Sequence, residues 1–119
     1  MLFEFKKFSK NIQQAYEINR NSYDVEEVKE IFRYYFECYE TVFGKPHPFI
    51  STSQIISIIS IMEEVDDEKL NRTLYVEPET YKKMIDKYFM TAYKNCDYNI
   101  NHFFSGKIRI IKLYEVGGI

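Results

Sequence analysis

Apolar residues recur at helical spacing in three stretches of this chain, separated by polar, capping or breaking residues. In the first stretch, Val25 is followed by Val28, Ile31, Phe32, Tyr35, Phe36, Tyr39 and Val42. On a period of 3.6 residues these positions fall on one face and form a wide apolar stripe. Asp24 stands just before the series and Glu27 three residues further on. That spacing is a capping box, and it sets acids at the positive end of the helix. Gly44 and Pro46 stop the pattern, so a helix is predicted near 24–43. Ser51-Thr52-Ser53-Gln54 repeats the capping-box spacing ahead of Ile55, Ile56, Ile58, Ile59, Ile61 and Met62. Their β-branching also permits a strand. The cap, the length and the Met62-Glu63-Glu64 ending favour a buried helix near 52–64. Pro78 suits the first helical position after Glu77. Tyr81, Met84, Ile85, Tyr88, Phe89, Ala92 and Tyr93 then form the third stripe, with Lys82, Lys83 and Lys87 off it. A helix near 78–94, fraying by Asn95, follows.

The remaining segments are weaker. Phe5, Phe8, Ile12, Ala15, Tyr16 and Ile18 fit a short amphipathic helix that ends in the loop Asn19-Arg20-Asn21-Ser22. Val65 to Thr73 reads as a charged loop. Asn99 or Asn101 caps a single turn over Ile100 to Phe104, closed by Gly106. From Lys107 to Val116 both a strand and a short helix are open. The expected fold is mainly α, a compact bundle of three principal helices. An N-terminal helix and a short C-terminal helix, followed by a strand or helix, pack on it. The chain is read as a single domain, 1–119, with a segment 1–22 packed on a helical core 24–116.

Composition sharpens this only in places. The chain has 119 residues, 45% of them apolar, which is enough to bury a core. Eleven Tyr and ten Phe without Trp exceed what so small a core can hide, so some Tyr hydroxyls should meet water or a partner. Fifteen Ile beside two Ala fit AT-rich coding, hence a low-GC microbe or its phage. A net charge of −2 selects no partner class. Its distribution is uneven, however. Asp24–Glu40 holds six acids and two bases, Glu63–Glu79 seven and two, and Lys82–Lys112 seven bases against Asp86 and Asp97. Cys38 and Cys96 form no paired motif and read as reduced, buried thiols. Met1 to Phe5 lacks a basic start before an apolar run, and Ile55–Met62 is too short to span a bilayer. A cytoplasmic location is expected.

Candidate chemistry is sparse. Cys38, His47, Cys96, Asp97 and His102 are too scattered for a zinc signature. They could meet only if residues 36–44 lay against residues 95–104. His47, between Pro46 and Pro48, reads as a stiff linker histidine that bonds a helix end. His102 reads as orienting a turn. Cys96 and His102 are close in sequence, but nothing forecasts the oxyanion site a cysteine nucleophile would need. Glu63-Glu64 and Asp66-Asp67 lack the alternating ligands and central glycine of a calcium loop. No glycine-rich phosphate loop occurs. Neither an enzyme, a metal nor a cofactor is expected.

Two binding functions compete. In one, helix 78–94, the turn over 100–104 and a wing at 107–116 make a helix-turn-helix. Lys107, Arg109 and Lys112 then meet phosphates and Asn99 or Asn101 meets bases. In the other, acidic and aromatic surfaces bind a host protein. The candidate partner-binding residues are Asn99, Asn101, His102, Lys107, Arg109 and Lys112, with Glu63, Glu64, Asp66 and Asp67 on the acidic loop.

Tyr39-Glu40-Thr41-Val42-Phe43-Gly44-Lys45-Pro46-His47-Pro48 and Asp97-Tyr98-Asn99-Ile100-Asn101-His102-Phe103 together resemble blocks of small uncharacterised proteins encoded by phages and mobile elements of Gram-positive bacteria. The resemblance spans roughly residues 30 to 115. It implies a setting and no catalytic residues. Small acidic phage proteins without reaction motifs are often inhibitors of host defence, anti-CRISPR proteins among them. By analogy of size and setting, the expected function is non-enzymatic binding of a host protein, such as a defence nuclease that itself handles nucleic acid. The alternative is a small DNA-binding or replication accessory protein.

Overall fold

Both capping boxes form where their spacing places them. The computed structural model describes residues 5–62 and 75–118. Among these it is an all-helical compact globule of six helices with no strand: α1 Phe5–Ile18, α2 Val25–Phe43, α3 Thr52–Met62, α4 Pro78–Phe89, α5 Ile100–Phe103 and α6 Gly106–Glu115. At the start of α2 the Asp24 carboxylate accepts from Glu27 N–H at 2.8 Å, and Glu27 accepts from Asp24 N–H at 3.0 Å. At α3 Ser51 and Gln54 exchange the same two bonds at 3.2 and 2.9 Å. Each box satisfies two amides that the helix leaves without partners. Gly44 ends α2 in the left-handed region, at φ 66°, with its N–H donating to Glu40 O. That conformation costs a residue with a Cβ and costs glycine little. Pro78 opens α4.

The three stripes face inward. Buried side chains from all six helices join one cluster, built on α2 with Val28, Ile31, Phe32, Tyr35 and Phe36. The main helix contacts pair α2 with α4, α1 with α3 and α4 with α6. The aromatic excess is largely absorbed here. Tyr35 meets Phe36, Tyr88, Phe89 and Phe103 at ring-centre separations of 5.0 to 6.4 Å. Three buried hydroxyls turn to backbone: Tyr35 donates to Tyr98 O at 2.6 Å, Tyr81 to Met62 O at 2.6 Å, and Tyr23 to Val76 O. A buried hydroxyl without an acceptor would be costly, and each of these also pins one chain segment to another.

One segment settles an open reading and another departs from its own. The tail, open between strand and short helix, is a helix. Arg109, Lys112 and Leu113 are buried and Val116 half-buried, while Lys107, Ile111, Tyr114 and Glu115 are exposed. That is helical spacing, and packing on α4 overrides β-branching. Gly106 starts this helix instead of closing the previous turn. α4, expected over 78–94, stops at Phe89, over a turn early. Tyr98 supplies the reason: its hydroxyl donates to Thr91 O at 2.6 Å and accepts from Tyr93 N–H at 3.0 Å. The chain there folds back through Asn95 and Tyr98, both at positive φ (52° and 58°). No helix among the described residues is long and apolar enough to cross a membrane. Val65–Thr73, read as a charged loop, lies outside the described residues.

Candidate functional site

The residues singled out in the connection and tail divide sharply by role. Asn99 is the cap of α5: its side chain accepts from Asn101 N–H at 2.9 Å and from the Asn101 side-chain amide at 2.8 Å. Asn101 is therefore the donor to the cap. His47 completes that helix start. Its Nε2 accepts from Ile100 N–H at 3.0 Å, and its Nδ1 lies 2.8 Å from Pro48 O. Since Nε2 accepts, Nδ1 carries the proton and donates to Pro48 O, which fixes one neutral tautomer. The histidine held between prolines bonds a helix end, as read from its neighbours. Burial pushes its pKa below the usual histidine value, partly countered by the Pro48 carbonyl and Asp97.

Arg109 and Lys112, read as phosphate or partner contacts, are 4% and 1% exposed. Arg109 donates to Ile61 O at 2.6 Å and to the Tyr81 hydroxyl at 3.3 Å. Together with Tyr81 on Met62 O, it holds the last carbonyls of α3, where a cation also favours the negative helix end. Lys112 donates to Thr91 Oγ1 at 2.8 Å and Glu115 Oε2 at 2.9 Å, and lies over the Tyr93 ring. Burial opposes its charge, but Glu115 and Tyr93 outweigh that and hold the ammonium above the ordinary lysine range. These two cations serve the interior. Lys107 is exposed, and Asn99, Asn101 and His102 are half-buried. Glu63, Glu64, Asp66 and Asp67 lie outside the described residues.

The scattered Cys and His residues also separate. Residues 36–44 do approach residues 95–104, with Phe43 against the Tyr98 ring at 5.6 Å. Cys38, however, turns the other way, with its thiol 3.9 Å from Asp86 Oδ1. Cys96 and His102 do meet, with Sγ 3.4 Å from Nδ1. Among the described residues no group of three or more His, Cys, Asp or Glu could hold a metal ion.

Among the described residues an open groove of about 530 Å3 lies elsewhere, between α2 and α4. The two helices run parallel: Glu30 pairs with Lys82 at 3.2 Å, Tyr34 donates to Asp86, and Tyr35 meets Phe89. α4 is seven residues shorter than α2, roughly 10 Å of helix. Where α4 stops, one flank of α2 has no neighbouring helix among the described residues. Tyr34, Glu37, Cys38, Thr41 and Val42 line the groove from α2, and Asp86, Phe89 and Met90 from α4. Met90 is 83% exposed and Val42 52%. Among the described residues no cation lines the groove, although Arg33 pairs with Glu37 from one turn away. Asp86 holds the Tyr34 phenol, with help from burial, above its usual pKa, and burial together with Asp86 pushes the Cys38 thiol up to about 11. Both groups keep their protons at neutral pH and act as donors, not nucleophiles.

The sequence reading placed Val42 in the core stripe and gave Met90 no role. The available signal was relative length, a stripe on α2 that outruns the one on α4. No family model, curated protein or solved structure matches the chain.

Proposed function

We propose that this protein acts without catalysis, by binding another protein, and that the α2/α4 groove seats the contact. The observation that carries this is the open apolar pair Val42 and Met90 beside the carboxylates of Glu37 and Asp86. An apolar patch rimmed by polar groups is costly to leave in water and suits a partner. Met90 adds an adaptable surface. The occupant we assign is a segment of a partner protein that presents an apolar side chain next to lysine or arginine, complementary to the two carboxylates. Following the resemblance, the partner is a host protein in the bacterial cytoplasm, with a defence nuclease as the class the setting favours. Asn99, Asn101, His102 and Lys107, and the acids Glu63, Glu64, Asp66 and Asp67, are proposed as polar contacts to the same partner. The DNA-binding alternative has less to stand on, because two of its three named cations are buried.

The test is affinity purification from a lysate of a low-GC Gram-positive bacterium, with and without nuclease, using the wild type and Val42→Asp/Met90→Asp. A stoichiometric protein that survives nuclease and is lost with the double variant is the expected result. Retention that depends on intact nucleic acid would favour DNA binding. Capture unchanged by the double variant would remove the groove.

A further inference from the structure

We propose that Cys96 is a nucleophilic thiol, with His102 as its proton acceptor, which exchanges with low-molecular-weight disulfides. Of this cluster the protein-binding role uses only His102, as a polar contact. Three groups converge on the Cys96 sulfur: His102 Nδ1 at 3.4 Å, Tyr98 N–H at 3.3 Å and the Tyr88 hydroxyl at 3.7 Å. The Tyr88 hydroxyl is also 2.7 Å from His102 Nδ1. A thiol and an imidazole within hydrogen-bond reach is the pairing that activates cysteine nucleophiles. The Tyr88 hydroxyl, on the rigid α4, shares that ring nitrogen with the thiol and links the two, and the Tyr93 ring sits against His102 at 5.1 Å. Burial, and then the Cys96 sulfur, hold the Tyr88 phenol well above its ordinary pKa, so it remains a donor. Cys96 itself is half-buried rather than sealed in the core.

The step balances as follows. The Cys96 thiol passes its proton to His102 Nδ1, which then donates to the Tyr88 oxygen while the phenolic hydrogen turns to the sulfur. The thiolate, still accepting from Tyr98 N–H, attacks one sulfur of the disulfide. A new Cys96 S–S bond forms as the old one breaks. The departing thiolate takes the proton from His102 and leaves as a thiol. Cys96 is oxidised, one half of the disulfide is reduced, and no further oxidant is needed. No oxyanion site is required, since no carbonyl is attacked.

Cys38 provides an internal control: it is also half-buried, but its neighbour is a carboxylate and its pKa is about 11. The probe is 5,5′-dithiobis(2-nitrobenzoate), which releases a coloured thiolate on exchange. A fast phase is expected that Cys96→Ser abolishes and Cys38→Ser preserves. In Cys38→Ser the native chain should react about tenfold or more faster than the guanidinium-unfolded chain at the same pH. His102→Gln should slow the fast phase about tenfold, with the far-UV spectrum and melting temperature recorded alongside. If that variant does not fold, Tyr88→Phe decides, and a slowing of several-fold is expected. A fast phase on Cys38, a native rate at or below the unfolded one, or an unchanged rate in the folded His102 or Tyr88 variant would overturn the assignment.

Discussion

The two flanks of the last turns of α2 carry similar residues and have opposite fates. On one flank, Tyr39 packs on His47 at 4.8 Å and Phe43 on Tyr98 at 5.6 Å, while His47 and Tyr35 tie that side to the start of α5 and to Tyr98. On the other, Cys38, Thr41 and Val42 face an open groove because α4 has ended. One amphipathic stripe thus yields both a core and a surface. What distinguishes them is where the neighbouring helix stops, which is a property of the neighbour.

The hardest test of this contrast compares two apolar truncations on α2. Phe36→Ala, at a fully buried ring, should cost about 3–5 kcal/mol in urea unfolding, and Val42→Ala within about 0.5 kcal/mol of nothing. Similar losses at the two sites would end the distinction between the flanks. The same contrast can be drawn with cations on α6. Arg109→Met removes a charged donor from the end of α3 and should cost about 2 kcal/mol, whereas Lys107→Met should be near neutral. An Arg109→Met chain as stable as wild type would mean that α3 does not depend on that bond.

The gentlest test uses pH on the closed flank. Burial lowers the folded pKa of His47 below the ordinary 6.5, so the unfolded chain binds its proton first. Its contribution is therefore complete above 6.5 and is lost as pH falls from there through the folded pKa. The structural cause is direct, because a proton on Nε2 would face the Ile100 N–H. The urea midpoint should drop between about pH 7.5 and pH 5, and His47→Asn should flatten that drop. A wild-type profile matching that of the variant would remove His47 as its source.

Local signals were the legible ones. The capping boxes at Asp24/Glu27 and Ser51/Gln54, the stop at Gly44, Pro78 at the start of α4 and the bond from His47 to a helix end all act within a few residues, and each was readable from neighbours. Long-range partners were not. Arg109 reads as a surface cation until Ile61 and Tyr81, 48 and 28 residues away, are seen beside it. Tyr98 shortens α4 through its hydroxyl, and no propensity of Thr91 or Tyr93 reveals that. The tail was undecided because β-branching and helical spacing compete at Ile108, Ile110 and Ile111, and only contact with α4 settles which prevails. The groove was hidden for the same reason: Val42 continues a perfect stripe. The Cys96–His102 pairing was visible as proximity in sequence, but the donors that complete it come from Tyr88 and from the Tyr98 backbone.

The grip of Arg109 on the end of α3 also has a bearing on how the chain matures. Until α6 packs, Tyr81 can already hold the Met62 carbonyl, but the Ile61 carbonyl lacks its Arg109 donor. Closure over so long a separation is entropically slow. A chain in which α6 has not yet packed should therefore expose its greasy isoleucine helix to chaperones and proteases, and should become resistant to them once α6 is in place.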